Sequence, residues 1–165
     1  MKQFKRTRDG EVTSNLNKEE IQIFESLCSQ LVEFIDSEDQ ADSAKQRLFP
    51  IAYPEDEAAA TEFRELTIKS LVASKTSNAR IVQESLSAMP QNGKLVLNPR
   101  QSRAWLLCLN DLRLILADRL GIEKDDQAPS KNIEIQDLYD WLGYLQNSLV
   151  EALDFAPMST NDHGL

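Results

Sequence analysis

The segment from Asn98 to Gly121 constrains the fold of this 165-residue chain more than any other stretch. Its first residue is a candidate N-cap, and a proline follows at the first helical position. Gln101 lies three residues after the N-cap, the position of the second residue of a capping box. The glycine at the end is a typical helix stop. Apolar residues form one broad face of this predicted helix, and Leu107 and Leu114 lie nearly opposite. Because a helix that is apolar on two sides is covered on two sides, the sequence predicts a mainly α, single-domain helical bundle with this helix at its centre.

Other segments predict helices around this one. Asn17 and Glu20 form a capping box ahead of an amphipathic helix. Between residues 55 and 89 the apolar phase shifts near Thr67, which predicts two consecutive helices, and the polar middle of the second favours a bend. A last amphipathic helix is predicted over residues 135–153.

The first sixteen residues predict a small β-hairpin rather than a helix. Asp9-Gly10 is a two-residue turn signal between short segments that contain apolar residues. Residues 94–97, KLVL, are a strand candidate whose natural partner is this hairpin, which would give a three-stranded sheet on one edge of the bundle. We therefore expect one helical domain over residues 1–155 with an N-terminal hairpin, followed by a disordered tail at residues 156–165.

The charge balance narrows the class of protein. With 27 acidic and 18 basic residues, the chain carries a formal net charge of −9, which does not support a dedicated nucleic-acid binder. No apolar run approaches the roughly 18 residues of a membrane span, and none near the start resembles a signal peptide. Two cysteines 80 positions apart make no disulfide framework. The chain is therefore expected to be cytoplasmic and to bind no membrane.

The start of the chain is an exception to the acidic balance. Residues 1–8 contain four bases and no acid, a local charge of +4, from Lys2, Lys5, Arg6 and Arg8. One interpretation is a contact with phosphate or an acidic partner, which leaves direct DNA binding open although the net charge does not support it. The other is a solvated edge strand whose charges protect it from aggregation.

Familiar catalytic and cofactor motifs are absent from the sequence. It has no glycine-rich nucleotide loop, no nucleophile elbow and no clustered metal ligands, and its single histidine, His163, lies in the predicted tail. We therefore expect no enzymatic activity, no catalytic residue, no metal and no cofactor.

The two thiols are the most informative reactive side chains. Cys28 lies within the apolar arc of the first helix, and Cys108 lies on the broad face of the central one. If these helices pack together, the sulfurs come within bonding range, since a disulfide needs α-carbons about 4.4–6.8 Å apart. The alternative is a pair of buried cysteines that act as small hydrophobic residues, with raised pKa values and slow reactions.

Charged residues flank the apolar arc of the central helix and form a second candidate site. Arg113 and Arg119 lie on one flank, and Asp111 and Asp118 lie on the other. A partly buried arginine needs a carboxylate or carbonyl partner. The carboxylate candidates on neighbouring helices are Glu62, Glu65, Asp137 and Asp140. This set is interpreted either as a structural ion-pair network or as a site for an acidic ligand or partner.

Aromatic residues offer a third candidate, an exposed groove lined by Trp105, Tyr139, Trp141 and Tyr144. Aromatic residues at helical spacing are more often core than binding site. Tyr139 and Tyr144 fall off the main apolar face, however, so these two are candidates for an exposed protein-interaction patch.

Four segments in a fixed order carry a family resemblance: FKR near the start, AYPEDEAAATEFRELT, AWLLCLNDLRLILADRLG and YDWLGYLQNSLVEAL. Over about residues 2–153, the chain resembles a small actinobacterial family of helical proteins of unknown function, linked to oxidative-stress transcription regulators. The resemblance implies a regulator that acts through a sigma factor or RNA polymerase and is switched by intramolecular cysteine oxidation. It strengthens the redox hypothesis for Cys28 and Cys108.

Two functional hypotheses of different classes remain. The first is a non-enzymatic regulator that binds protein and has the two cysteines as its redox pair; the sequence leaves homodimer formation open. The second is an adaptor, or a small-molecule or peptide-binding module, with Arg113, Arg119 and the aromatic residues lining its site. This second hypothesis predicts a pocket open to solvent beside the arginines.

Overall fold

The computed structural model describes residues 1–38, 42–50, 57–121 and 133–154. The predicted tail at residues 156–165, including His163, lies outside this part of the chain. The mainly α fold class with a small N-terminal sheet is confirmed. The described elements are, in chain order, β1 (Lys5–Arg6), β2 (Val12–Asn15), α1 (Lys18–Asp36), α2 (Ser43–Leu48), α3 (Glu57–Ser87), β3 (Lys94–Leu97), α4 (Pro99–Arg119) and α5 (Ile133–Asp154).

The three strands form the predicted antiparallel sheet, in the order β1-β2-β3. In the register of β2 with β3, Val12 lies opposite Leu97, and both side chains are buried. Phe4, just before β1, is buried too. Its ring packs edge to face on Trp105 of α4, with the ring centroids 5.9 Å apart. The sheet therefore closes one edge of the helical core.

The hairpin turn is one residue longer than predicted, so the two-residue Asp9-Gly10 turn is wrong. Thr7 N–H donates to the Glu11 carbonyl at 2.8 Å, and Gly10 N–H donates to the Thr7 carbonyl at 3.1 Å. The loop therefore spans residues 8–10. Gly10 has a φ of 87°, the left-handed conformation with which three-residue hairpin loops return the chain to the second strand.

α4 is the central helix, and its ends form as the sequence predicts. Asn98 and Gln101 make a reciprocal capping box with hydrogen bonds of 2.8 and 2.9 Å. Gly121, with a φ of 73°, follows the C-terminal end. α2, α3 and α5 all pack against this helix. Its broad apolar face is buried, while Leu107 on the opposite side is 40% exposed.

The segment predicted as two helices is one helix, so that prediction is wrong. α3 runs unbroken from Glu57 to Ser87, about 46 Å at 1.5 Å per residue. It contains neither glycine nor proline, so no residue in it disrupts the backbone hydrogen bonds strongly. The shift in the apolar pattern near Thr67 instead marks the place where the helix passes from solvent into the bundle. Phe63 and Leu66 are 59% and 69% exposed, whereas Val82, further along, is buried in the bundle.

α1 packs against α3. A lysine from α2 binds the last carbonyls of α1. Lys45 is 4% exposed, and its Nζ donates to the carbonyls of Phe34 and Ile35 at 2.7 and 3.0 Å. The last carbonyls of a helix have no partner within the helix, and a cation there also suits the helix dipole. The face that α1 presents to the core comprises Phe24, Cys28, Leu31 and Ile35.

Candidate functional site

The two cysteines meet in the core, where side chains of α1 and α4 come together. Cys28 is fully buried, Cys108 is 2% exposed, and both are free thiols. Cys28 lies close enough to Cys108 to affect the pKa of the Cys108 thiol. Phe24 and Trp105, each about one turn before its cysteine, also meet, with ring centroids 5.0 Å apart. Cys28 and Cys108 are therefore neighbours in the core, as the redox hypothesis requires.

The surroundings of Cys108 hold its thiol in the protonated form. The hydrogen bond with Cys28 is the largest cause that raises the pKa of the Cys108 thiol, followed by burial and by the negative charge of Asp111. Because the thiolate is the form that attacks oxidants, these surroundings slow the reaction of Cys108 at neutral pH.

Asp111, one turn after Cys108, forms a buried ion pair with α3. Lys75 Nζ lies 2.7 Å from Asp111 Oδ1, and the exposed fractions of the two side chains are 17% and 3%. Burial raises the pKa of the Asp111 carboxyl, and the hydrogen bond from Lys75 opposes that shift. We call Cys28, Cys108, Asp111 and Lys75 the thiol cluster. It links α1, α3 and α4.

Sequence reasoning alone does not single out Lys75. The residue lies in the polar segment that favoured a bend in the helix. A signal is nevertheless present, because Lys75 falls on the stripe of Leu71 and Val82, at spacings of four and seven residues. A lysine on an apolar stripe marks a position where a neighbouring helix has to supply an acceptor.

Asp118 and Arg119, at the end of α4, bind α2. Arg119 donates to both carboxylate oxygens of Asp42, at 3.0 and 2.9 Å, and this hydrogen bonding lowers the pKa of the Asp42 carboxyl. Asp118 accepts from Ser43 Oγ at 2.7 Å and lies 3.4 Å from Arg47 Nε. Asp42, the N-cap residue of α2, thus binds the arginine for which carboxylates on α3 and α5 were predicted, because α2 packs against α4.

Arg113 has different surroundings from Arg119. Its guanidinium stacks on the Tyr139 ring, with 4.4 Å from the guanidinium carbon to the ring centroid, and donates to Gln146 Oε1 at 2.9 Å. Gly143 allows this close approach, since a β-carbon there would lie 3.0 Å from a guanidinium nitrogen. Arg113 Nε is buried and has no hydrogen-bond partner among the described residues.

The predicted groove of four exposed aromatic residues is wrong. Trp105 is fully buried, and its indole N–H donates to Ser85 Oγ at 2.8 Å. Its place on the broad apolar face of α4 accounts for this burial. Tyr139 is half-buried beneath Arg113, and Tyr144 on α5 is 51% exposed.

The basic residues of the N-terminal segment lie at the surface. Lys2, Lys5 and Arg8 are exposed, and Arg6 is half-buried. The last three line a groove of about 650 Å³ between the hairpin and α5, which we call the basic groove. Lys2 borders a separate groove of about 990 Å³ near the N-terminus of α1. None of the four bases forms an ion pair within the described part of the chain.

The described ranges contain no cluster of metal ligands and no helix that could span a bilayer. No three side chains of histidine, cysteine, aspartate or glutamate are grouped to hold a metal ion among these residues. None of their helices combines the length and hydrophobicity that a membrane crossing requires.

The fold and the site define a small helical-bundle protein with two free thiols next to each other in its core. A family model described as Domain of unknown function (DUF2017) matches residues 1–153, so the chain belongs to this family. A protein of Mycobacterium leprae (strain TN), named as a proposed oxidative stress regulator, AosR, is 32% identical over 114 residues. The match covers 66% of this chain and 51% of that protein, so the chain spans about half the length of this relative. No solved structure gives a significant match.

Proposed function

We propose that this protein is a non-enzymatic, cytoplasmic regulator of the transcriptional response to oxidative stress. It acts by binding a protein partner such as a sigma factor or RNA polymerase, and oxidation of Cys28 and Cys108 to a disulfide is its switch. The observation that carries the proposal is the contact between these two free thiols. The relative's name supports the oxidative-stress role, and the net charge of −9 favours a protein partner over direct contact with DNA phosphates.

The redox step needs a peroxide and the two thiols of the chain. One cysteine thiolate attacks a peroxide oxygen, which gives a sulfenic acid and releases water after proton transfer. The second thiol displaces the sulfenic oxygen as a second water and forms the S–S bond. Two thiols and one hydrogen peroxide thus give one disulfide and two waters. Since the chain has two cysteines, its intramolecular disulfide joins Cys28 to Cys108.

We expect closure of this disulfide to draw the two sulfur atoms, and the side chains packed around them, closer together. The sulfur atoms of a disulfide lie about 2.05 Å apart, closer than two hydrogen-bonded thiols can be. The side chains around them are fixed, because Phe24 packs on Trp105 and Lys75 binds Asp111. A closely packed interior changes between discrete arrangements rather than deforming smoothly. We therefore expect the displacement to reach α3 through the Lys75–Asp111 pair.

The test is binding of the full chain to purified actinobacterial RNA polymerase and to individual sigma factors, before and after peroxide treatment. We expect at least one of these components to bind in one redox state and to be released in the other. The Cys28→Ala and Cys108→Ala variants should behave like the reduced protein at all peroxide concentrations. Ser102→Ala is the matched control, since Ser102 is a fully buried residue of α4 whose hydroxyl has no partner among the described residues. Binding to none of these components in either state would contradict the proposal.

Arg113 favours a second candidate function, a module that binds a small carboxylate or an acidic peptide. Its guanidinium is held in place by Tyr139 and Gln146, and no ion pair neutralises it among the described residues. A fixed guanidinium suits bidentate binding of a carboxylate. Titration with acetate and glutamate, followed by NMR, should shift the Tyr139 and Gln146 resonances in the wild type and leave them unchanged in Arg113→Met.

A further inference from the structure

The edge of the sheet that faces α5 is formed by β1. β1 is an outer strand, and Thr7 N–H donates to Glu11 across the hairpin. Hydrogen-bonded and non-hydrogen-bonded positions alternate in an antiparallel pair. Lys5 therefore bonds with β2, and the N–H and carbonyl of Arg6 point away from it. On that outer side, the Phe4 N–H is already bound by Ser148 Oγ of α5 at 3.1 Å.

The basic groove lies along this outer edge. Its walls are residues 3–8 on one side and Ser148, Glu151 and Ala152 of α5 on the other. Thr7 also lines it, although the Thr7 hydroxyl is buried. The groups that this edge offers to an added strand are therefore the backbone N–H and carbonyl of Arg6.

The charge of the groove is opposite to that of the protein. Among the described residues, Lys5, Arg6 and Arg8 line it against one acid, Glu151. The chain as a whole carries −9. Because opposite charges steer partners and like charges repel them, the groove attracts acidic groups that the rest of the surface repels.

We infer that the basic groove binds an extended acidic segment of a protein partner, which lies along β1 as an added strand. The partner's backbone would bond to Arg6 N–H and carbonyl, and its carboxylates would meet Lys5 and Arg8. β1 comprises Lys5 and Arg6, so the added strand would pair with these two residues, and the residues that flank it would reach the hairpin loop that carries Arg8. The inference rests on the proposed function in that it supplies a docking site for the protein partner.

Nucleic acid fits the groove less well than an acidic peptide. Single-stranded nucleic acids gain affinity by stacking bases on exposed aromatic rings. Phe4 is the aromatic residue that lines this groove, and it is 4% exposed. A long phosphate backbone would also extend beyond the three bases of the groove, along a protein whose net charge is −9. A short acidic strand avoids this repulsion.

The probe for the test is a fluorescein-labelled hexapeptide of alternating valine and glutamate, blocked at both ends, added to the full reduced chain. We expect saturable binding by fluorescence polarisation, weakened by salt. The double variant Lys5→Glu/Arg8→Glu should weaken binding roughly tenfold or more. The matched control is Arg100→Glu/Arg103→Glu, which reverses two exposed bases on α4 and should change the affinity by no more than about twofold.

Two further probes separate strand addition from simple charge attraction. N-methylation of alternate valine amides removes backbone donors and keeps the charge, so it should abolish binding. A single-stranded DNA probe of equal charge should bind more weakly than the peptide. The inference would be overturned by absent saturation, by equal loss in both double variants, by unchanged binding of the N-methylated peptide, or by tighter binding of DNA.

Failure of this inference can be distinguished from failure of the proposed function. If a sigma factor or RNA polymerase binds equally to wild type and to Lys5→Glu/Arg8→Glu, the groove is not its docking site although the regulator proposal stands. If the peptide binds and no transcription component does, the groove inference stands without the regulator proposal.

Discussion

The thiol cluster and the basic groove are both rich in polar groups, and they are built in opposite ways. In the cluster, Asp111 is 3% exposed and has Lys75 as an ionic partner at 2.7 Å. In the groove, Lys5 and Arg8 are exposed and have no ionic partner among the described residues. A buried charge is tolerated only with a partner, whereas water solvates an exposed charge.

This difference separates residues that maintain the fold from residues that are available to another molecule. A change in the cluster should alter stability first, because its two thiols and Asp111 are buried and Lys75 is bound to that buried carboxylate. A change in the groove should alter binding and leave stability intact. The following substitutions test this contrast.

Lys75→Met should have the largest effect on stability. It leaves the buried Asp111 carboxylate without its cation, and such a loss costs about 3–5 kcal/mol. Chemical denaturation measures the change in the free energy of unfolding. Lys69→Met, at an exposed position on the same helix, is the control and should change it by less than about 0.5 kcal/mol. Adding Asp111→Leu to Lys75→Met should restore most of the lost stability; no recovery would contradict this explanation.

Gly93→Ala should have the next largest effect, although no charge is altered. Gly93 has a φ of 78°, and an added β-carbon would lie 2.5 Å from the Leu16 carbonyl oxygen. The Leu16 N–H also binds the Gly93 carbonyl at 2.9 Å, which fixes β2 to the turn before β3. We expect a loss of about 2–3 kcal/mol in the free energy of unfolding. Gly121→Ala, with a φ of 73° and open space around it, should cost only about 1 kcal/mol. Equal losses would show that the contact with Leu16 is unimportant.

The pH dependence of stability should reveal the buried carboxyl of the cluster. Burial raises the pKa of Asp111 in the folded state, so the folded protein binds this proton more tightly than the unfolded chain does. The contribution of Asp111 to the free energy of unfolding therefore falls as the pH rises. The fall begins near the pKa of about 3.9 in the unfolded chain and ends above the raised pKa in the folded protein. Asp111→Asn removes that fall, so the stability of wild type relative to the variant should decrease over this range. The lowered pKa of Asp42 makes stability rise with pH instead. This contribution cancels in the comparison because the wild type and the variant both contain Asp42. A relative stability that rises with pH would mean that attraction to Lys75 outweighs burial.

Lys5→Glu/Arg8→Glu should have the smallest effect on stability. Both side chains are exposed and make no ion pair with described residues, so the free energy of unfolding should stay within about 0.5 kcal/mol of the wild type. Thermal and chemical denaturation both measure this. A larger loss would mean that the two charges support the hairpin, and the contrast between the regions would fail.

Much of the fold could be predicted because its signals are local. The capping boxes at Asn17 and Asn98 need residues within one helical turn, and both form as the pattern indicates. The pairing of β2 with β3 follows from two short alternating segments. The broad apolar face of α4 likewise predicted the burial of Cys108.

The remaining features depend on packing that no local pattern specifies. Arg119 binds Asp42 because the short α2 packs against α4, and the sequence pointed to longer helices instead. The continuity of α3 was missed because a shift in exposure along one helix imitates a break in the apolar pattern. The partner of Asp111 was missed because Lys75 lies in a segment whose composition is polar, although its position on the helix faces the core.

The most direct test of the redox switch is the mass of the full native chain before and after treatment with hydrogen peroxide, followed by peptide mapping. The switch hypothesis predicts a loss of two hydrogens and one cross-linked peptide pair that joins Cys28 to Cys108. Its formation should be slow at neutral pH and faster at higher pH, because the raised pKa of Cys108 keeps that thiol protonated. Separate oxygen addition to either cysteine, or no reaction until the chain is unfolded, would contradict the switch and leave the thiols as residues of the core.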